Sequence, residues 1–239
     1  MFKKTKRILS GLVAMSMMAL LTTGCGNTNS NEIKIGANLE MTGNTATFGQ
    51  SATNGAKLAI KQVNAKGGVL GKQITLVVAD NKSDTAEAAN AMQKLATQDK
   101  VIASIAPIAS SSVMAAAQVN ESAKILGISP TASNPNVTVD PETGKVRDYL
   151  FRATFIDPFQ GAVMANFAKN TLKAQKAAVY IENSSDYAKG LGKFFKETFV
   201  QNGGNIVSDE AYLAKDTDFK ATLTKIKASN PDVIFVPGY

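Results

Sequence analysis

The chain has 239 residues, 44% of them hydrophobic, with 26 Lys and Arg against 19 Asp and Glu and a formal net charge of +7. It contains no histidine and one cysteine. That composition excludes imidazole-based general-base catalysis, the commonest zinc and non-haem iron ligand sets, an intramolecular disulfide and any CxxC redox pair. No metal and no cofactor is expected, and the protein is read as not an enzyme.

The N-terminus reads Met1-Phe2-Lys3-Lys4-Thr5-Lys6-Arg7, then the apolar run ILSGLVAMSMMALL (8–21), then TTGCGNTNSN. A basic stretch, an apolar segment too short to span a bilayer and small residues before a cleavage point predict a signal peptide over residues 1–24. Cleavage before Cys25 would leave that cysteine first in the mature chain, where a lipid on Cys25 would anchor the protein to a membrane. Residues 25–32 would then form a polar tether. Thr22 stands where such a motif usually has leucine. The expected location is the outer face of the cytoplasmic membrane or the periplasm. Four of the basic residues lie in 1–24, so the remainder carries a formal +3. Its Lys and Arg are dispersed, which offers no nucleic-acid partner.

From residue 33 short β-branched runs alternate with segments of helical period. IKIGANL (33–39), QITLVVAD (73–80), VIASIA (101–106) and KILGIS (124–129) read as strands buried on both faces. Between the first two lies a helix over about 50–66, stopped by Gly67-Gly68. A helix over 85–98 carries the stripe Ala88, Ala91, Met92 and Leu95, with Asp84 as its cap. Another helix begins at Ser110. After the polar stretch NPNVTVDPETGKVRD (134–148) the alternation restarts. Asp157-Pro158 is expected to cap and start a helix with the stripe Phe159, Ala162, Val163 and Phe167. Strand 177–182, helix 186–200 with Tyr187, Leu191, Phe194 and Phe195, strand 205–212, helix 218–228 and strand 232–238 follow. This order predicts an α/β protein of two lobes, 33–150 and 151–239, each a doubly wound parallel sheet. The last strand has no covering helix, so both lobes are expected to be incomplete and the chain truncated.

In such sheets ligands bind outside the carboxyl ends of the strands. Ser110, Ser111 and Ser112 sit there, at a helix start whose free amides and dipole favour an anion. Ser110 reads equally as a plain N-cap, with Ser111 and Ser112 as solvated first-turn residues. GISPTASNP (127–135) ends another strand and brings Thr131 and Ser133 to the same edge. LEMTGNTATFGQ (39–50) adds a third loop, with Phe48. Catalysis would have to rest on carboxylates such as Glu40, Asp80 or Asp186; Asp80, at a strand end, serves as readily as a first-turn helix acid.

The succession IKIGANLEMTGNTATFGQSATNGAKLAIKQVNAKGGVLGKQITLVVADNKSD, SSS at a helix start, ISPTASNP and NSSDYAKGLGKFFKETFVQNGGNIV resembles the leucine/isoleucine/valine-binding family of extracytoplasmic solute-binding proteins of ABC importers. The likeness runs over about 32–239. It implies a type I periplasmic-binding-protein fold whose two lobes close on an amino acid and present it to a permease. It also implies a monomer, with ATP hydrolysed by a separate subunit. By the same resemblance Ser110 and the amides after it hold the ligand carboxylate. The Thr131 carbonyl contacts the ammonium and the Ser133 hydroxyl the amino-acid head group, Phe48 stacks where relatives often have tyrosine, and Tyr187 and Tyr239 close from the other lobe. The family's acidic partner for the ammonium falls beyond these residues, which implies weak binding by this stretch alone. Sensing for a membrane receptor, or binding of an amide, urea or aromatic acid, are the alternatives.

Overall fold

The computed structural model describes residues 32–239. The predicted signal peptide, Cys25 and all of the tether but Glu32 lie outside the described residues. β1 (Glu32–Leu39), β2 (Gln73–Asp80), β3 (Ala103–Ile105), β4 (Leu126–Ser129) and β5 (Leu150–Arg152) form one sheet in the order β2-β1-β3-β4-β5. A second sheet has β6 (Lys176–Glu182) between β7 (Asn205–Tyr212) and β8 (Val233–Phe235). Pairing is parallel at β1–β3, β3–β4, β4–β5, β6–β7 and β6–β8, with Ile35 opposite Ala103, Ala103 opposite Leu126 and Gly127 opposite Leu150. The helices are α1 (Ala46–Ala65), α2 (Thr85–Lys94), α3 (Ser110–Ala123), α4 (Asp157–Asn166), α5 (Asp186–Gln201) and α6 (Lys220–Ala228). Parallel pairing needs such crossovers, which makes this the predicted α/β architecture.

Sequence patterns locate most elements and miss some of their detail. α2 is capped as expected, the Asp84 side chain accepting from the Glu87 amide, and buries Ala88, Ala91 and Met92. Leu95 is also buried, but belongs to a π-helical turn (Leu95–Asp99) that ends at Lys100 in a left-handed conformation. β3 is shorter than its apolar run, and Ile102 lies outside it and is largely exposed. β6 is central and almost wholly buried, as a two-sided strand should be, whereas β2 forms a sheet edge and is only half-buried. β5 escaped the sequence reading because a three-residue strand has no period to show. It spans the boundary expected at 150/151 and completes the first sheet.

α4 departs from expectation in its buried face. Phe159, Val163 and Phe167 are exposed, and Gly161, Ala165 and Ala168 face inward. The cause is close helix crossing. A Cβ on Gly161 would come within 2.7 Å of Phe194 Cβ and 2.8 Å of the Phe195 nitrogen. Only small residues let α4 lie that near α5. Beneath them the second core stacks Phe195 on Phe235 at 4.1 Å and on Phe199 at 5.6 Å between ring centres.

Candidate ligand-binding site

Three loops at strand C-terminal ends are tied together before any ligand is considered. Glu40, directly after β1, is fully buried, and its carboxylate accepts from the amides of Ile108 (2.9 Å) and Ala109 (3.1 Å). Burial pushes its pKa upward more strongly than those amides hold it down. The segment after β3 is thereby fixed, and Ala109, with no side-chain cap, becomes the N-cap of α3. Ser110 is therefore the first helical residue and not the cap. Its buried hydroxyl accepts from the Asn134 amide at 3.3 Å. The neighbouring loop is stapled to the same segment: Thr131 Oγ1 donates to the Ile108 carbonyl (2.9 Å) and Ser129 Oγ to that of Pro107 (2.7 Å).

Arg152, the last residue of β5, holds the 132–138 segment from behind. Nη1 donates to the carbonyls of Ala132 (3.1 Å) and Asn134 (2.8 Å); Nη2 donates to the Pro135 carbonyl (3.2 Å) and Thr138 Oγ1 (2.7 Å). One guanidinium thus shapes the loop that carries Ser133. Arg152→Met is expected to lower stability by about 2 kcal/mol, read as a smaller urea midpoint with an unchanged slope.

α5 begins against these loops. Its capping residue Ser185 accepts from the Ala188 amide at 3.2 Å, the Asp186 amide donates to Ser111 Oγ at 3.0 Å, and Asn134 Nδ2 donates to the Asp186 carbonyl at 2.7 Å. Two cavities share the Tyr239 wall. The larger, 480 Å³, is lined by Thr45, Ser83, Thr85, Ala109, Ser111, Ser112 and Ser185, among others, so four helix starts open on it. The smaller, 330 Å³, is walled by Phe48, Ile108, Thr131, Ser133, Phe155, Gln160, Tyr187, Gly238 and Tyr239. Tyr239 packs on Tyr187 at 5.2 Å and edge-on to Phe48 at 6.5 Å between ring centres. Burial makes its phenol harder to ionise, with the nearby Ser110 amide acting against that.

Phe48, Thr131, Ser133, Tyr187 and Tyr239 therefore meet around one cavity, and Ser111 and Ser112 line the other. Ser110 lies between them, its amide near enough to the Tyr239 phenol to favour ionisation and its hydroxyl bonded to the Asn134 amide. The three carboxylates considered for catalysis are engaged in structure. Glu40 is held by amides. Asp80 accepts from the Lys82 (2.8 Å), Met41 (3.0 Å) and Thr42 (3.2 Å) amides and from Thr42 Oγ1 (2.7 Å), and Asp186 pairs with Lys189 at 2.6 Å. Among the described residues no group of three or more His, Cys, Asp or Glu could hold a metal, and no helix is long and apolar enough to cross a membrane.

Gln160 lines the smaller cavity and Asp157 lies three residues before it on α4; neither is among the residues expected at the site. Asp157 was expected to cap α4, but the N-cap is Ile156, and the Asp157 carboxylate is buried with no hydrogen-bond partner. An Asp before Pro reads as a cap from sequence alone; the buried face of α4 would have been needed to see otherwise.

A family model described as periplasmic binding protein matches residues 32–238. An amino acid binding protein of Pseudomonas aeruginosa is 33% identical over 98% of this chain and 60% of its own length. Among solved structures, the branched-chain amino acid transporter substrate-binding protein LivJ of Streptococcus pneumoniae, in complex with isoleucine, is 45% identical with a TM-score of 0.79, covering 87% of this chain and 57% of that one. A solute-binding protein of an ABC transporter from Rhodopseudomonas palustris, in complex with 3,4-dihydroxybenzoic acid, is 28% identical with a TM-score of 0.73, covering 87% and 54%. The chain spans about 60% of the length of the curated relatives it matches. With nearly every described residue inside the family match and the site loops at the strand ends, this chain belongs to the periplasmic binding protein family.

Proposed function

We propose that the protein is the substrate-binding lipoprotein of an ABC importer, anchored through Cys25, that captures a branched-chain amino acid and delivers it to a permease. The observation that carries this reading is the junction at Ser110. There a helix start rich in amides and hydroxyls meets a cavity walled by Phe48, Ile108 and Phe155. A carboxylate suits the helix start, and an aliphatic side chain suits the aromatic walls. The ligand's carboxylate would accept from the Ser110 hydroxyl, whose oxygen takes the Asn134 amide, and from the amides that follow it. Its ammonium would face the Thr131 carbonyl and the Ser133 hydroxyl would contact its head group, the roles that the family resemblance gives these positions. Two lobes built on the two sheets would close around it, Tyr187 and Tyr239 excluding water, and binding energy would draw the molecule toward the shape a permease accepts. No bond of the ligand is made or broken.

The test is a thermal-shift panel on the full chain with leucine, isoleucine and valine. A ligand at about 100 times its dissociation constant adds about 2.7 kcal/mol of stability. Ser110→Ala is expected to weaken binding about tenfold, the value of one hydrogen bond to a charged group; equal affinity in the variant would refute the carboxylate placement. A second reading, an aromatic acid as ligand, is favoured by the dihydroxybenzoate-bound relative and the aromatic cavity walls. Stabilisation by benzoates and not by the aliphatic amino acids would select it.

A further inference from the structure

Among the described residues four buried side-chain atoms lack a hydrogen-bond partner: Arg147 Nε, both carboxylate oxygens of Asp157 and the amide oxygen of Gln160. Three of the four are acceptors on the first turn of α4, spaced three residues apart and so on one face. Among the described residues no donor meets any of the three at hydrogen-bond geometry. Asp157 is wholly buried beneath α5, where a methyl group at Gly190 would stand 2.6 Å from Asp157 Oδ2. The Asp157 amide donates to the Ser133 carbonyl (3.0 Å). The Ser133 hydroxyl and the Arg152 guanidinium both favour its charge, yet neither meets the carboxylate at hydrogen-bond geometry, and the donors of Arg152 go to the 132–138 segment.

The smaller cavity abuts this carboxylate through Ser133, Gln160 and Tyr187. No Lys or Arg lines it. The charge of Asp157 is felt there, since it makes the phenols of both Tyr187 and Tyr239 harder to ionise. Glu40 adds to the effect at Tyr239. An apolar cavity with carboxylates behind its wall and π-faces around it attracts a cation and repels an anion.

We propose that Asp157, supported by Gln160, determines specificity: its unpaired carboxylate makes the wall at Ser133 the seat of a ligand's ammonium group, so the cavity selects an apolar body bearing a primary ammonium over the same body without one. The inference rests on the amino-acid reading for the ligand's identity and on the buried acceptors for its charge.

Calorimetry on the full chain compares leucine with 4-methylpentanoate, which keeps the carboxylate and side chain and lacks the ammonium, and benzylamine with benzoate. Wild type is expected to prefer the ammonium-bearing member of a bound pair. Asp157→Asn is expected to weaken that member about 30-fold or more while leaving its partner unchanged or tighter. Gln160→Leu is expected to shift the same ratio in the same direction by a smaller factor, and serves if Asp157→Asn does not fold. Equal loss of both members in either variant, or no change in the ratio, overturns the proposal. If leucine is ignored but benzylamine is taken over benzoate, the amino-acid reading falls and the Asp157 assignment stands. If benzoate is taken over benzylamine, or neither pair binds, both fall.

Discussion

Glu40→Ala is expected to destabilise the protein by about 3 kcal/mol and to weaken ligand binding, although Glu40 lines neither cavity. The carboxylate is the acceptor for two amides, at Ile108 and Ala109, immediately before α3. Removing it leaves both without a protein partner in the buried space at the end of β1. Each such loss costs about 1–3 kcal/mol, and part is recovered because a desolvated carboxylate is removed with it. Glu40→Gln is expected to fall between the two, since its amide keeps one oxygen and turns a donor toward a donor. Urea titration gives the stability term and calorimetry the affinity term. A Glu40→Ala protein with unchanged urea midpoint would show that the loop before α3 holds itself.

Asp157 should impose a pH dependence opposite to that of an ordinary paired carboxylate. Burial pushes its pKa from 3.8 to about 6, with the Ser133 hydroxyl and Arg152 acting against it. The folded state therefore holds this proton more tightly than the unfolded state. The resulting stability is fully present below about pH 3.8 and is lost as pH rises through about 6, a change of about 3 kcal/mol at most. Asp140, Glu210 and Asp232, whose pKa values are held down by hydrogen bonds, run the other way and blur the raw curve. The difference between wild type and Asp157→Asn isolates the effect. Urea midpoints measured between about pH 4 and about pH 8 should show the variant gaining on wild type as pH rises. Parallel curves would mean that the carboxylate is satisfied in solution. A residue that lowers stability while selecting a ligand is what a binding site built at the expense of the fold would contain.

Much of this architecture is legible in the residues. Asp84 with Glu87, the Ala88–Met92 stripe and the buried run of β6 each satisfy a local rule that the fold also obeys. The hydroxyl-rich loops at 110–112 and 131–133 could be placed at strand ends because strand-helix alternation fixes which ends face which way. What was not legible depends on partners distant in sequence. The inward face of α4 is set by Phe194 and Phe195 of α5, so Gly161 and Ala165 outrank Phe159 and Val163. Likewise, that Glu40 serves amides 68 and 69 residues away, and that Asp157 caps nothing, follows from burial that no local pattern records.

The Ser111–Asp186 contact has an electrical corollary. It brings the starts of α3 and α5 within one hydroxyl of each other, and each start carries a partial positive charge. Left to themselves, the two poles push apart like facing magnets. A small anion lodged beside them would reverse the sign of that force, so the feature that identifies a solute would also be the glue that keeps the jaws shut.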